Sequence, residues 1–171
     1  MTAARTITLT LNGELRELLV RPNRTLLDTL RNEAGLTGTK KGCDVGECGS
    51  CTVIIDGQPI NSCLVLAPEA DGTCITTIEG VQPSATEVHP LQDNFMRFGA
   101  AQCGFCTPGI IVAAKALLEA NPNPTHDEIR FAIAGNICRC TGYTKIIEAI
   151  AETAAQMQAA SPGRVHEEAG S

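Results

Sequence analysis

Eight of the nine cysteines in this chain fall into two spaced sets, and any fold it adopts has to gather each set. The first lies in Lys40-Lys41-Gly42-Cys43-Asp44-Val45-Gly46-Glu47-Cys48-Gly49-Ser50-Cys51 and reads C-x4-C-x2-C, with Cys63 following as the candidate fourth member. The second begins in Gln102-Cys103-Gly104-Phe105-Cys106 and is completed by Cys138-Arg139-Cys140: a C-x2-C, a long gap, then a C-x-C. Cys74 is left over.

The rest of the composition decides what the thiols are for. The start, Met1-Thr2-Ala3-Ala4-Arg5-Thr6, lacks the basic-then-apolar pattern of an export signal. The longest apolar run, around Ile110 to Leu118, is interrupted by Lys115 and is too short to span a bilayer. The expectation is a soluble, cytoplasmic chain, where structural disulfides are rare. Nine cysteines cannot all pair within one chain in any case, so metal is the better use of them. A net charge of −6 and a pI near 5.0 argue against nucleic acid and anionic membranes as partners. Hydrophobic residues make up 43 % of the chain, but there is no Trp and one Tyr, so the core has to be aliphatic.

The first spacing is the plant-type [2Fe–2S] pattern. Four-cysteine zinc sites usually come as two close pairs; the first set is not two pairs, whereas the second set taken alone also fits zinc. Rieske ligation requires two histidines, and His89, His126 and His166 are all remote in sequence from the cysteines. Cys74 lies in an apolar segment and reads as a buried free thiol. Tyr143 reads as packing. Lys40 and Lys41 read as solvated, or as steering an acidic partner.

Residues 5–20 predict a β-hairpin: Ile7, Leu9 and Leu11 alternate with threonines, Asn12-Gly13 suits a type I′ turn, and Leu15, Leu18 and Val20 return. Thr25 predicts the cap of a short helix carrying Leu26, Leu27 and Leu30, with Asp28 at the capping-box distance and Gly35 as its stop. Strands are expected over Cys51–Ile55, Cys63–Leu66 and Cys74–Ile78, with a turn at Asp56-Gly57. One helix on a small mixed sheet is an α+β pattern. The polar stretch from Val81 to Val88 reads as a linker, and helices follow it. Pro90 opens the first; Thr107 predicts an N-cap with Pro108 in the first turn; Thr125 and Glu128 form a capping box; the last runs from about Tyr143 to Met157. Four short helices suggest a bundle. The expected organisation is therefore residues 1–80, residues 81–160 and a fraying polar tail, 161–171.

These residues suit a cluster of iron and sulfide. Gly42, Gly46 and Gly49 interleave with Cys43, Cys48 and Cys51, letting the backbone curl and aim N–H groups at sulfur. Cys103 and Cys106 immediately precede a helix, whose N-terminus favours negative charge. Cys138 and Cys140, two apart, cannot share a helix face and require a turn.

The motifs from Gly42 to Thr52, Gln102 to Gly109 and Gly135 to Tyr143 together resemble the iron–sulfur (small) subunit of the molybdenum hydroxylases, the xanthine oxidase family. The resemblance spans about residues 5–157. Within the family it is close to the gamma subunit of 4-hydroxybenzoyl-CoA reductase, and similar to the small subunits of carbon monoxide, nicotinate and isoquinoline dehydrogenases. It implies a plant-ferredoxin-like β-grasp domain followed by a four-helix bundle, each holding one [2Fe–2S] cluster. It implies a large subunit with a molybdenum–pterin cofactor, a medium subunit with FAD, and a dimer of such heterotrimers. By the same resemblance Gln102 and Cys140 lie against the pterin; Gly104 is a further candidate cofactor contact, and Gly42, Gly46 and Gly49 are candidate contacts of the first cluster through the backbone curl they allow. The expected function is transfer of single electrons between molybdenum and flavin, for an enzyme acting on an aromatic, N-heterocyclic or small carbonyl substrate. A freestanding soluble [2Fe–2S] ferredoxin is the rival, against which the helical half argues.

Overall fold

The computed structural model describes residues 3–84 and 86–160; the expected tail, and His166 within it, lie outside the described residues. The N-terminal half is a five-stranded mixed sheet with one helix, its strands in the spatial order Glu14–Val20, Arg5–Leu11, Cys74–Thr76, Thr52–Ile55, Gln58–Asn61. Strands β1 (Arg5–Leu11) and β2 (Glu14–Val20) form the expected hairpin in antiparallel register from Arg5 opposite Val20 to Leu11 opposite Glu14. Asn12 and Gly13 both take positive φ, as a type I′ turn requires. Strand alternation sends Ile7, Leu9 and Leu11 inward. On β2 it buries Val20 and half-buries Leu18, but leaves Leu15 exposed on the outer face.

Helix α1 (Leu26–Asn32) is capped by Thr25, whose hydroxyl accepts from the Asp28 N–H at 3.1 Å. The Asp28 carboxylate does not complete a capping box; it pairs with Lys41 at 3.2 Å, which ties the cysteine loop to the helix. Strand β3 (Thr52–Ile55) pairs with β4 (Gln58–Asn61) through the expected Asp56-Gly57 turn. The segment expected as a strand over Cys63–Leu66 is a 3-10 turn, Ser62–Leu64, instead. The partner of β3 is Gln58–Asn61, a polar, Pro-containing edge strand with too little apolar alternation to be legible. Strand β5 (Cys74–Thr76) is parallel to β1 and antiparallel to β3.

Two cores result. Ile7, Leu9, Leu11, Leu26, Leu30, Val53 and Ile75 fill the space between sheet and α1. Helices α2 (Pro90–Arg97), α3 (Thr107–Ala120), α4 (His126–Ala132) and α5 (Thr144–Ala159) enclose the second core, which also takes in Ile54 and Val81. Strand β3 serves both: Val53 faces α1 and Ile54 faces the helices. That is why Thr52–Ile55 is apolar without alternation. Val81, expected in the linker, is buried in the helical core. Helix α3 is apolar nearly all round, with Ile110, Ile111, Val112 and Ala114 buried, as befits the central helix. Between α2 and α5 the buried Asn94 donates to Thr153 Oγ1 and Gln156 Oε1, both at 3.0 Å. The Thr125–Glu128 capping box forms as expected.

Candidate metal centres

The structure gathers each cysteine set as two pairs. In the first, Cys43 and Cys48 sit together on the Gly42–Cys51 loop, and Cys51 lies against Cys63 over Leu27. In the second, Cys103 Sγ is 3.7 Å from Cys140 Sγ, and Cys106 lies against Cys138. Among the described residues no three Cys, His, Asp or Glu side chains converge on the centre of a single ion. Two pairs side by side match the all-cysteine donor set of a two-iron core, with two thiolates for each iron.

The loop shapes the first site. The N–H groups of Val45 and Cys48 both donate to Cys43 Sγ at 3.4 Å. These donors, the Val45 N–H first, bring the Cys43 thiol down to about 7, well on the way to the thiolate a metal needs. Asp44 and Gly46 adopt left-handed backbone to make that curl. A Cβ on Gly42 would stand 2.7 Å from Cys48 Sγ, so the backbone there closes directly over the sulfur. Asn61 secures the loop by donating to the Gly46 carbonyl at 2.9 Å. Cys51 is buried, and burial, with the neighbouring Cys63 thiol, pushes it up to about 12. It would stay protonated until iron displaced the proton.

The second site is built from helix ends. Cys106 is itself the N-cap of α3, and Thr107 is the first helical residue rather than the cap. Cys103 and Cys106 therefore stand at the positive end of the helix. Burial, and then Cys138, push Cys106 up to about 12. Burial also raises Cys138, but the Thr141 hydroxyl and then the N–H groups of Cys140 and Thr141 more than offset it, and the net shift is down. Cys140 is raised by the facing Cys103 thiol. Cys103, Cys140, Gln102 and Gly142 are exposed, while Cys106 is buried, so one edge of this site is open to a partner.

Three placements differ from sequence expectation. Cys74 is exposed, not buried: on β5 the alternation gives the core side to Ile75, and Cys74 faces out. Tyr143 packs, but its hydroxyl also accepts from the Cys138 N–H at 2.7 Å and donates to the Asn136 carbonyl at 3.1 Å. Lys41 is paired with Asp44 as well as Asp28. Asn136 is a site residue that sequence reasoning passed over. It is buried, and its amide donates to the Gly49 carbonyl at 2.9 Å and to Thr52 Oγ1 at 3.1 Å. The next residue, Ile137, donates its N–H to the Cys48 carbonyl at 2.9 Å. One main-chain hydrogen bond thus joins Cys48 to the residue preceding Cys138. The available signal was its place beside the C-x-C motif, in Gly135-Asn136-Ile137.

Donor set, N–H groups aimed at sulfur and backbone closed over thiol all fit iron–sulfur binding; among the described residues no histidine competes, since His89 caps α2 and His126 opens α4. The arrangement defines a two-site iron–sulfur protein. Residues 9–79 match the 2Fe-2S iron-sulfur cluster binding domain family and residues 77–151 the [2Fe-2S] binding domain family. The nicotinate dehydrogenase small FeS subunit of Eubacterium barkeri is 54 % identical, over 85 % of this chain and 92 % of its own length. The nicotine 6-hydroxylase small subunit of Paenarthrobacter nicotinovorans is 48 % identical, over 85 % and 87 %. Among solved structures, quinoline 2-oxidoreductase from Pseudomonas putida 86 superposes with a TM-score of 0.88 at 46 % identity, covering 94 % of this chain and 99 % of that one. The chain belongs to the small iron–sulfur subunits of the molybdenum hydroxylase, or xanthine oxidase, family. Its cofactors are two [2Fe–2S] clusters; the molybdenum–pterin cofactor and FAD of this family belong to partner chains.

Proposed function

We propose that this chain relays single electrons between a molybdenum–pterin site in a large subunit and FAD in a medium subunit, within a cytoplasmic dimer of heterotrimers. Cys43, Cys48, Cys51 and Cys63 hold one cluster in a β-grasp domain, residues 1–80. Cys103, Cys106, Cys138 and Cys140 hold the other in a four-helix bundle, residues 81–160. When bound, each cluster takes up and gives back one electron. The protein's part is to hold the sulfurs, aim the N–H groups of Val45 and Cys48 at one of them, and exclude water around Cys51, Cys63 and Cys106. Gln102, Gly104 and Cys140 contact the pterin; Gly42, Gly46 and Gly49 enclose the first cluster. The observation carrying this reading is the contact of the two cysteine loops through Asn136 and the Ile137–Cys48 hydrogen bond, which suits transfer from site to site. The substrate belongs to the large subunit and is aromatic, N-heterocyclic or a small carbonyl compound. The names of the nicotinate, nicotine and quinoline relatives favour the N-heterocyclic class.

The test is rapid-mix EPR on the assembled complex carrying Cys43→Ser, once retention of the second cluster has been verified. A reductant entering at molybdenum should still reduce the second site while flavin reduction stalls. Flavin reduction at the normal rate would overturn the order molybdenum, second site, first site, flavin.

A further inference from the structure

We propose that Thr141, locked in place by Tyr143, sets the reduction potential of the second site by donating a hydrogen bond from its hydroxyl to the Cys138 sulfur. The inference rests on the reading of that site as an iron–sulfur centre. Thr141 Oγ1 lies 3.1 Å from Cys138 Sγ. A metal-bound thiolate has no proton, so in the loaded protein the hydroxyl is the only possible donor of the two. The hydroxyl oxygen is held from the other side, because the Tyr143 N–H donates to Thr141 Oγ1 at 3.2 Å. With a lone pair of the oxygen engaged there, the hydroxyl proton is free to turn to the sulfur.

Tyr143 is built for this task. It takes a left-handed backbone, φ 69°, unusual outside glycine, at the residue that caps α5. Its hydroxyl accepts the Cys138 N–H at 2.7 Å and donates to the Asn136 carbonyl at 3.1 Å. The loop from Asn136 to Tyr143 is therefore closed at both ends by one side chain. The Cys138 N–H is also diverted from the cluster. At Cys43 the donors are the main-chain N–H groups of Val45 and Cys48, whereas at Cys138 a side-chain hydroxyl joins the main-chain donors of Cys140 and Thr141.

A donor to ligand sulfur favours the more negative state, so Thr141 raises the potential. One electron passes from the reductant to the iron of that site. No bond breaks, and Thr141 keeps its proton.

The experiment is an EPR-monitored redox titration, with dithionite and mediators, of the full-length chain with the subunits that accompany it. Thr141→Val should shift the partition of an electron between the two sites about tenfold toward the first. That is a fall of roughly 59 mV in the second midpoint, with the first unmoved. Thr141→Ser should restore it. Unchanged midpoints in a Thr141→Val protein of full iron content would overturn the proposal. So would loss of second-site iron in both Thr141→Val and Thr141→Ala with retention in Thr141→Ser, since the hydroxyl would then serve assembly and not potential. Absence of two cluster signals in the unsubstituted protein would instead sink the two-site reading itself.

Discussion

His89 shows how a single side chain couples this fold to pH. It caps α2, with Nδ1 accepting the Leu91 N–H at 3.1 Å, and only an unprotonated nitrogen accepts. Burial, and then the charge of Lys115, hold its pKa below the ordinary 6.5, with Glu119 pulling weakly the other way. The unfolded chain therefore binds more protons than the folded one below that value, and stability rises with pH there. The contribution is complete above 6.5 and is lost as pH falls through the lower folded value. His89→Asn caps without titrating, and should flatten this part of the stability–pH curve in urea melts; an unchanged slope would place the dependence elsewhere. At this scale the cysteine spacing was legible, because spacing alone defines a ligand set. The orientation of Cys74 was not, since it depends on which face of β5 meets the core. The hydrogen bonds of Tyr143 were not either, because they depend on a left-handed residue that only a glycine would have announced.

At the scale of elements, the contact between the Gly42–Cys51 loop and the Gly135–Cys138 turn decides how the two sites face each other. Gly49 has φ +66°, and a Cβ there would collide with the Gly135 carbonyl and the Asn136 side chain. Gly57 shares the positive φ but faces open space. Gly49→Ala should therefore cost clearly more than Gly57→Ala, whose penalty is backbone strain of order 1–3 kcal/mol. Asn136→Ala should cost about 1–3 kcal/mol by removing the two hydrogen bonds its buried amide donates across the loops, to the Gly49 carbonyl and Thr52 Oγ1, although the Gly49 carbonyl keeps the hydroxyl and N–H of Thr52. Urea denaturation measures all three; equal effects for the two glycines would mean the loops are not tightly docked. The hairpin, α1 and the four later helices were readable from turn chemistry, caps and periodicity. Strand β4 was not, because Gln58-Pro59-Ile60-Asn61 has no apolar alternation. The double burial of β3 was recorded in its Val53-Ile54-Ile55 run, but its meaning required both cores.

At the scale of the whole molecule, the second site opens on a surface with apolar character: Phe105 and Ile137 are 47 % and 53 % exposed on its two loops. Among the described residues no helix is long and apolar enough to cross a membrane. The chain should co-purify with a large and a medium subunit. Phe105→Asp should weaken that association without loss of iron, as read by size-exclusion chromatography with iron assay. A monodisperse monomer alone in cell extract would favour a freestanding ferredoxin. The central claim is that eight cysteines hold two [2Fe–2S] clusters, and it is tested most directly by iron and acid-labile sulfide analysis with EPR of the reduced protein. The account predicts about four iron and four sulfide per chain and two distinct signals, both unaffected by Cys74→Ser, with one lost or altered in Cys48→Ser. Stoichiometric zinc, a single [4Fe–4S] signal, or loss of a signal in Cys74→Ser would contradict it.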